Sequence, residues 1–325
     1  MKYSVVIPVY NAEKYILDTL TCLKEQTYKD IEIIVINDGS KDNSEPLILD
    51  FKKNNPSLNI KYQRNENAGP SNARNTGINL ATGDYICFLD SDDAYDIHLF
   101  EELDKIADKD TDIIYFGFVE IDEKGNKISF KENGFKYFPP MSGPEMFKKK
   151  YLKETWLNNC NEVYRLDLIK KNNFSYIEGV YSGEDANFIY KCLSKANVVK
   201  CLEKDYFIHN ILSTSLFNSS FSEKNVTEFK AIENTLTYLK ENKFDDLYVY
   251  INSLYYHTRV TVSKKILTSV KSYREFNKLV KKYIPKIKKP KVLYFNKKQK
   301  FETRLFNFSR LFFYWFFKLY YKRKQ

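Results

Sequence analysis

The feature that most constrains this chain is a rhythm. Over roughly its first 120 residues, short β-rich apolar runs alternate with segments of helical period. Ser4–Val9 (SVVIPV), Ile31–Ile36 (IEIIVI), the weaker NIKYQ, YICFL and Asp112–Val119 (DIIYFGFV) read as strands. Between them, helices are predicted with Ile16, Leu17, Leu20 and Leu23 on one face and Asn11 as cap, near Glu45–Lys53 with Pro46 in the first turn, over Pro70–Leu80, and over Ile97–Ala107. This alternation predicts an α/β fold, a mostly parallel central sheet flanked by helices. EIDEKGNKISF reads as a hairpin turning at Lys124–Asn126. Beyond Pro139 the signal becomes mainly helical, and residues 224–284 have little strand character.

Ligands of open parallel sheets bind at the carboxyl ends of the strands. Here those ends are polar: PVYN, NDGSKDNS and, after the fourth strand, DSDD. Phosphate loops are missing. No two of the ten glycines are two positions apart, which excludes G-x-G-x-x-G, and G-K-[ST] does not occur. Asp90, Asp92 and Asp93 crowd four positions, so each should hold its proton unless a positive partner is near. A hard divalent cation carrying a diphosphate satisfies both observations.

The net charge of +10 is unevenly spread. From Lys264 onward there are 20 Lys and Arg against Glu275 and Glu302, which leaves −8 on the preceding residues. A basic tail on an acidic body points to a polyanion. The tail interleaves its charges with aromatics, and Leu311–Phe317 is an apolar run flanked by Arg310 and Lys318. Seven residues cannot cross a bilayer but suit a segment lying in an anionic headgroup region. The competing reading is a helix packed on its own domain. Nucleic acid is not expected, because no recognition module accompanies the charge. Five Cys without a C-x-x-C pair fit a reducing compartment. MKYSVVIPVYN enters a strand with no cleavage site and is not expected to be a secretory signal.

Taken in order, SVVIPVYNAEKYI, IEIIVINDGSKDNS, NAGPSNARNTGI, GDYICFLDSDD and the distant GEDANF resemble the family 2 inverting glycosyltransferases, whose fold is the nucleotide-diphospho-sugar transferase A-type. The likeness is dense over residues 1–95 and thinner to about 215. It implies that Asp90-Ser91-Asp92 is the D-x-D motif, with Asp90 at the nucleotide ribose, Ser91 between, and Asp92 ligating Mn²⁺ or Mg²⁺. It implies that Asp38 accepts a hydrogen bond from the base ring, that Pro8, Tyr10 and Glu13 line the nucleoside pocket, and that Arg74 lies near base and phosphates. It implies that Asp185 is the general base with Glu184 beside it, and that His209 stands close to the metal, at a position where relatives vary. His98 and His257 are expected to be structural, and Trp156 to be core.

The resemblance therefore implies an inverting, single-addition hexosyltransferase. Its donor would be a nucleotide-sugar, with UDP favoured. Its acceptor would be a glycan or lipid-linked glycan in bacterial capsule, lipooligosaccharide or exopolysaccharide synthesis. Neither of two Trp sits in the Q-x-x-R-W pattern of processive synthases. The expected organisation is a catalytic domain over 1–220 (1–95 nucleotide-binding, 96–220 acceptor) and a helical, basic C-terminal region over 221–325. The expected location is the cytoplasm, peripheral on the inner face of the cell membrane. Alternatives are a polyprenyl-phosphate glycosyl synthase and a catalytically silent nucleotide-binding scaffold.

Overall fold

A computed structural model describes residues 1–128, 136–211 and 221–322. The alternating first third forms β1 (Tyr3–Val9), α1 (Ile16–Lys24), β2 (Ile31–Asn37), α2 (Ser44–Asn54), β3 (Asn59–Arg64), α3 (Pro70–Leu80) and β4 (Tyr85–Phe88). A two-residue β5 (Ala94–Tyr95), α4 (Leu99–Ile106), β6 (Ile113–Asp122) and β7 (Lys127–Ile128) follow. Then come α5 (Gly143–Tyr151), β8 (Glu162–Arg165), α6 (Leu166–Lys171), α7 (Glu184–Lys195) and β9 (Val199–Ile211). The rest is helical: α8 (Thr227–Glu241), α9 (Asp245–Ser269), α10 (Tyr273–Tyr283), α11 (Lys297–Phe308) and α12 (Arg310–Lys322).

The sheet runs β3-β2-β1-β4-β8-β6-β9-β5, with β7 hairpinned onto β6. β3, β2, β1 and β4 are all parallel, as the rhythm predicts. β1, β2 and β4 are apolar on both faces because helices cover both. Ile16, Leu20 and Leu23 of α1 share one core with Tyr3, Val5, Ile7, Ile33, Val35, Tyr85 and Cys87. Leu17, by contrast, is exposed. Asn11 does not cap α1. It has φ 52°, and its Oδ1 accepts from the Lys41 N–H at 2.8 Å. The polar side chain joins the first two strand ends instead.

Two strands lie where the sequence reads as helical. β8 is only four residues and runs antiparallel between β4 and β6. β9 is parallel to β6, but its register slips at Gly117, where Leu202 is followed by Asp205 as the next partner. Glu203 and Lys204 bulge out, and this charged insertion breaks the apolar alternation that would have marked the strand. The predicted β6–β7 hairpin forms, and its end at Ser129–Phe130 lies outside the described residues.

Two compact units divide the chain: Met1–Gly179 with Phe188–Ser213, and Val180–Asn187 with Thr214–Gln325. The expected boundary at 220/221 falls at the edge of residues outside the description. Residues 180–187, which include Glu184 and Asp185, group with the helical residues rather than with the sheet. The helical unit has its own core, built from Phe229, Val260, Ile266, Phe276, Phe306, Phe313 and Phe317 among others.

Glu32 sits fully buried inside β2, a residue that IEIIVI gives no reason to single out. It accepts from Ser4 Oγ (2.6 Å), the Thr82 N–H (2.6 Å) and Thr82 Oγ1 (2.7 Å), and it pairs with Lys2 and Lys61 at 3.0 and 2.9 Å. Burial alone would raise its pKa, but these partners outweigh that and hold the carboxyl far below the usual range. A depressed pKa contributes stability above the unfolded value near 4.3, and that contribution is lost as pH falls. Glu32→Gln should therefore cost about 2–3 kcal/mol at pH 7 and progressively less toward pH 3, read by urea denaturation. An equal cost at both pH values would disprove this account.

Candidate active site

The carboxyl ends of β1 and β2 are tied together before any ligand is considered. The Asn11 N–H donates to Ser40 Oγ (3.0 Å), and the Ala12 N–H donates to Ser44 Oγ (2.8 Å). Glu13 Oε2 accepts from both the backbone and the side-chain nitrogen of Asn43, at 2.9 Å each. Glu13 therefore holds the start of α2 rather than presenting a free carboxylate. Asp38 is buried. Its two oxygens accept from the Ala68 and Gly69 N–H groups at 2.9 and 2.8 Å, so the side chain pins the loop that opens α3. Gly39, at φ +73°, is required where a Cβ would stand 3.0 Å from the Asn67 nitrogen. Tyr10 is 47% exposed and Pro8 half-buried beside these turns.

Pinning α3 aims Arg74. Asn75, next in the helix, exchanges hydrogen bonds with the Tyr176 backbone (2.9 and 2.7 Å), and the Arg74 guanidinium lies 5.4 Å from the Tyr176 ring centroid. Arg74 is almost wholly buried and donates through Nη2 to Asp90 Oδ1 at 2.8 Å. One positive partner of the acidic turn is thus an arginine from the chain itself. A guanidinium so placed anchors the first acid of the motif.

The turn after β4 brings Asp90, Ser91, Asp92 and Asp93 against the end of β9. Ala94 and Tyr95 pair antiparallel with Ile208 and Phe207. The Asn210 N–H donates to Asp93 Oδ1 (2.9 Å), Asn210 Nδ2 to the Asp92 carbonyl (2.6 Å), and Thr19 Oγ1 to the Asp93 carbonyl (2.9 Å). Burial, then Asp90 and Asp92, push the Asp93 carboxyl well above its ordinary range. Burial, then Asp90, also raise Asp92, while His209 pulls it back. His209 lies flat on Phe207, and its Nδ1 faces Glu120 Oε1 at 3.3 Å. In the neutral ring, a carboxylate there favours the proton on Nδ1, with the Nε2 lone pair open to a ligand. Sequence reasoning missed Glu120 and Asn210, because nothing before the fold links them to the DSDD turn.

This acidic turn fits a hard cation. Among the described residues, Asp90, Asp93 and Cys160 place ligand atoms within 4.8 Å of one another. Cys160 is a poor ligand there: burial and then Asp90 push its thiol well above the usual range. Asp93 faces inward to Asn210. Asp92 is half-buried, raised by burial and then Asp90 and pulled back by His209, and as a carboxyl it is the type of oxygen ligand a hard divalent ion takes. Glu184 and Asp185 occupy the first turn of α7, half-buried, in the other compact unit. Trp156, expected in the core, is 43% exposed beside Phe118. His98 is on the surface, and His257 is buried against Thr303.

The family model "Glycosyl transferase family 2" matches residues 4–172, and the chain belongs to that family. It adopts the A-type nucleotide-diphospho-sugar transferase fold. It is 31% identical over 218 residues to the uncharacterized glycosyltransferase EpsJ of Bacillus subtilis, covering 66% of this chain and 62% of that protein. The chain thus spans about three-fifths of that relative. S. aureus TarS 1–349 in complex with UDP-GlcNAc superposes at a TM-score of 0.57 with 20% identity, over 87% of this chain and 89% of that one. The mannosyltransferase PcManGT from Pyrobaculum calidifontis, in complex with GDP-Man and Mn²⁺, gives a TM-score of 0.55 at 13% identity, over 93% and 83%.

A carboxyl with a raised pKa favours the folded state below its unfolded pKa, and that contribution is lost as pH rises through the folded value. Asp93→Asn keeps an acceptor for Asn210 and removes this loss. With chelator present, the variant should be about 1–2 kcal/mol more stable than the parent at pH 8 and equal to it near pH 4, by chemical denaturation. A variant less stable at pH 8 would show that Asp93 is paired as an anion.

Proposed function

We propose that this protein is a metal-dependent inverting glycosyltransferase. It moves a hexose or N-acetylhexosamine from a nucleotide-sugar, most simply a UDP-sugar, onto a glycan or lipid-linked glycan acceptor, one residue at a time. The product is a linkage in a bacterial surface glycan such as capsule, lipooligosaccharide or exopolysaccharide. The observation that carries this reading is the Asp90–Asp93 turn: three acids facing Arg74, Asn210 and His209 at the carboxyl end of a parallel sheet.

In this reading Asp38 and Arg74 hold the rim of the nucleoside pocket, with Pro8, Tyr10 and Glu13 beside them. Asp90 and Ser91 face the ribose. Asp92 and His209 hold Mn²⁺ or Mg²⁺, which when bound neutralises the charge of the departing diphosphate. Asp185 takes the proton of the acceptor hydroxyl on the face opposite the leaving group, so the anomeric configuration inverts. Its place in the first turn of α7 favours its ionised form. Glu184 flanks it. No protein nucleophile is needed.

The test combines nucleotide binding with turnover. UDP with Mn²⁺, at 100 times its dissociation constant, should stabilise the protein by about 2.7 kcal/mol, and chelator or Asp92→Asn should abolish the effect. A shift with GDP, CDP or dTDP instead would keep the mechanism and change the donor. Asp185→Asn should keep the shift and lose on the order of 100- to 10,000-fold in transfer. No shift with any nucleotide, or unchanged glycan assembly with Asp185→Asn, would favour a silent scaffold. Transfer to a polyprenyl phosphate alone would identify the synthase alternative.

The C-terminal helices support a second element, peripheral binding to an anionic membrane. α12 turns Phe313, Tyr314 and Phe317 into its own core and leaves Phe312, Trp315, Phe316 and Leu319 exposed. Lys and Arg flank this outer face, and no described helix is long and apolar enough to cross a membrane. Such a surface suits the inner leaflet. The protein should sediment with phosphatidylglycerol vesicles at low salt, and Phe312→Ser with Trp315→Ser should reduce binding at least tenfold. Equal sedimentation with neutral vesicles, or none, would rule this out.

A further inference from the structure

Reading Asp185 as the base leaves unexplained why it, and not the adjacent Glu184, would be aimed at an acceptor. The residues around them are fastened to α8 within their own compact unit. The Tyr181 N–H donates to Thr227 Oγ1 at 3.0 Å, and Lys224 Nζ lies 4.7 Å from the Tyr181 ring centroid. Gly183, at φ +83°, passes so close that a Cβ would stand 3.3 Å from Ala231 Cβ and 3.4 Å from Glu228 Cγ. The strongest tie is Asn187, which is 1% exposed. Its Nδ2 lies 3.1 Å from the Ala231 carbonyl, 3.0 Å from Asn234 Oδ1 and 2.9 Å from Thr235 Oγ1.

The direction of this carboxamide is determined by its surroundings. The Ala231 carbonyl can only accept, and Thr235 already spends its hydroxyl proton on that carbonyl at 3.0 Å, so Thr235 Oγ1 also faces Asn187 as an acceptor. Asn187 must therefore point its NH₂ at α8. That fixes the rotation of the first turn of α7 about its own axis. An α-helix advances about 100° per residue. Asp185, two residues back, lies about 200° around from Asn187 and so on the far side from α8. Glu184, three residues back, returns to within about 60° of the anchored side.

We propose that Asn187, clamped by Ala231, Asn234 and Thr235, is a positioning residue that selects Asp185 over Glu184 as the proton acceptor. It follows that the helical C-terminal unit takes part in catalysis through α8 as well as in any membrane contact. The proposal rests on the reading of Asp185 as base.

The experiment is a double-mutant cycle on the full chain at saturating donor. Asn187→Ala should lower kcat by on the order of 100-fold, leave the donor KM unchanged, and keep the UDP–Mn²⁺ thermal shift. Thr235→Val, a milder cut at the same clamp, should lower kcat several-fold in the same way. Because Asn187 acts through Asp185, Asn187→Ala should cost little more in the Asp185→Asn background. Full additivity, a lost nucleotide shift in folded protein, or unchanged kcat in Asn187→Ala would overturn the positioning role. If Asn187→Ala does not fold, the same cycle with Thr235→Val decides, by the same criteria. An active Asp185→Asn protein would instead remove the base reading and this proposal with it.

Discussion

Three carboxylates in four residues are costly to hold together. Asp90, Asp92 and Asp93 sit at the end of a fully buried strand, where burial raises the proton affinity of Asp92 and Asp93, Asp90 raises both further, and Asp92 adds to Asp93. Much of the first unit serves to make that turn possible. Arg74 neutralises Asp90 from a nearly dry position, and it can do so because Asp38 pins the start of α3 and Asn75 ties its next residue to Tyr176. Asn210 and Thr19 satisfy the turn from two other elements. The groups that hold the turn come from α1, α3 and β9, three elements far apart in the chain.

The bulge in β9 belongs to the same construction. Without the three extra residues around Gly117 (Glu203, Lys204 and Tyr206), every later side chain of β9 would move in register along β6 and β5. Asn210 would miss Asp93, and His209 would miss both Glu120 and the neighbourhood of Asp92. A local irregularity in one strand thus sets the geometry of two site residues. The ring of His209 is held between Phe207 and Glu120, by one apolar contact and one polar contact at Nδ1 that together orient its plane.

Much of this was legible in the sequence, for physical reasons. Parallel strands buried on both faces are continuous apolar runs, so SVVIPV, IEIIVI and YICFL stand out, and the polar residues that end them mark the ligand side. Pro70 announces α3 to the residue. β8 and β9 were illegible because one is four residues long and the other carries Glu203, Lys204 and Asp205 through its middle. The crowded acids read as the site of a hard divalent ion, and the partner the fold gives Asp90 is Arg74. Asn11 reads as a helix cap, but in the structure it is a strut between strand ends, and Glu13, expected in the pocket wall, also ties Asn43 at the start of α2. Short-range patterns give the elements. They do not reveal which polar residue meets which across 30 to 120 positions.

The same limit explains why the turn that carries Glu184 and Asp185 reads so weakly. GED is three residues, and its environment comes from α8, some 45 positions later in the chain. Asn187 is unremarkable until Ala231 and Thr235 surround it. The division of the chain then has a chemical meaning. The groups suited to a nucleotide and a cation lie in the unit of the parallel sheet, and the candidate base is carried with the helices. A protein that carries such a candidate turn with its helical unit can change that unit while leaving the acidic turn, Arg74 and the strand ends in place.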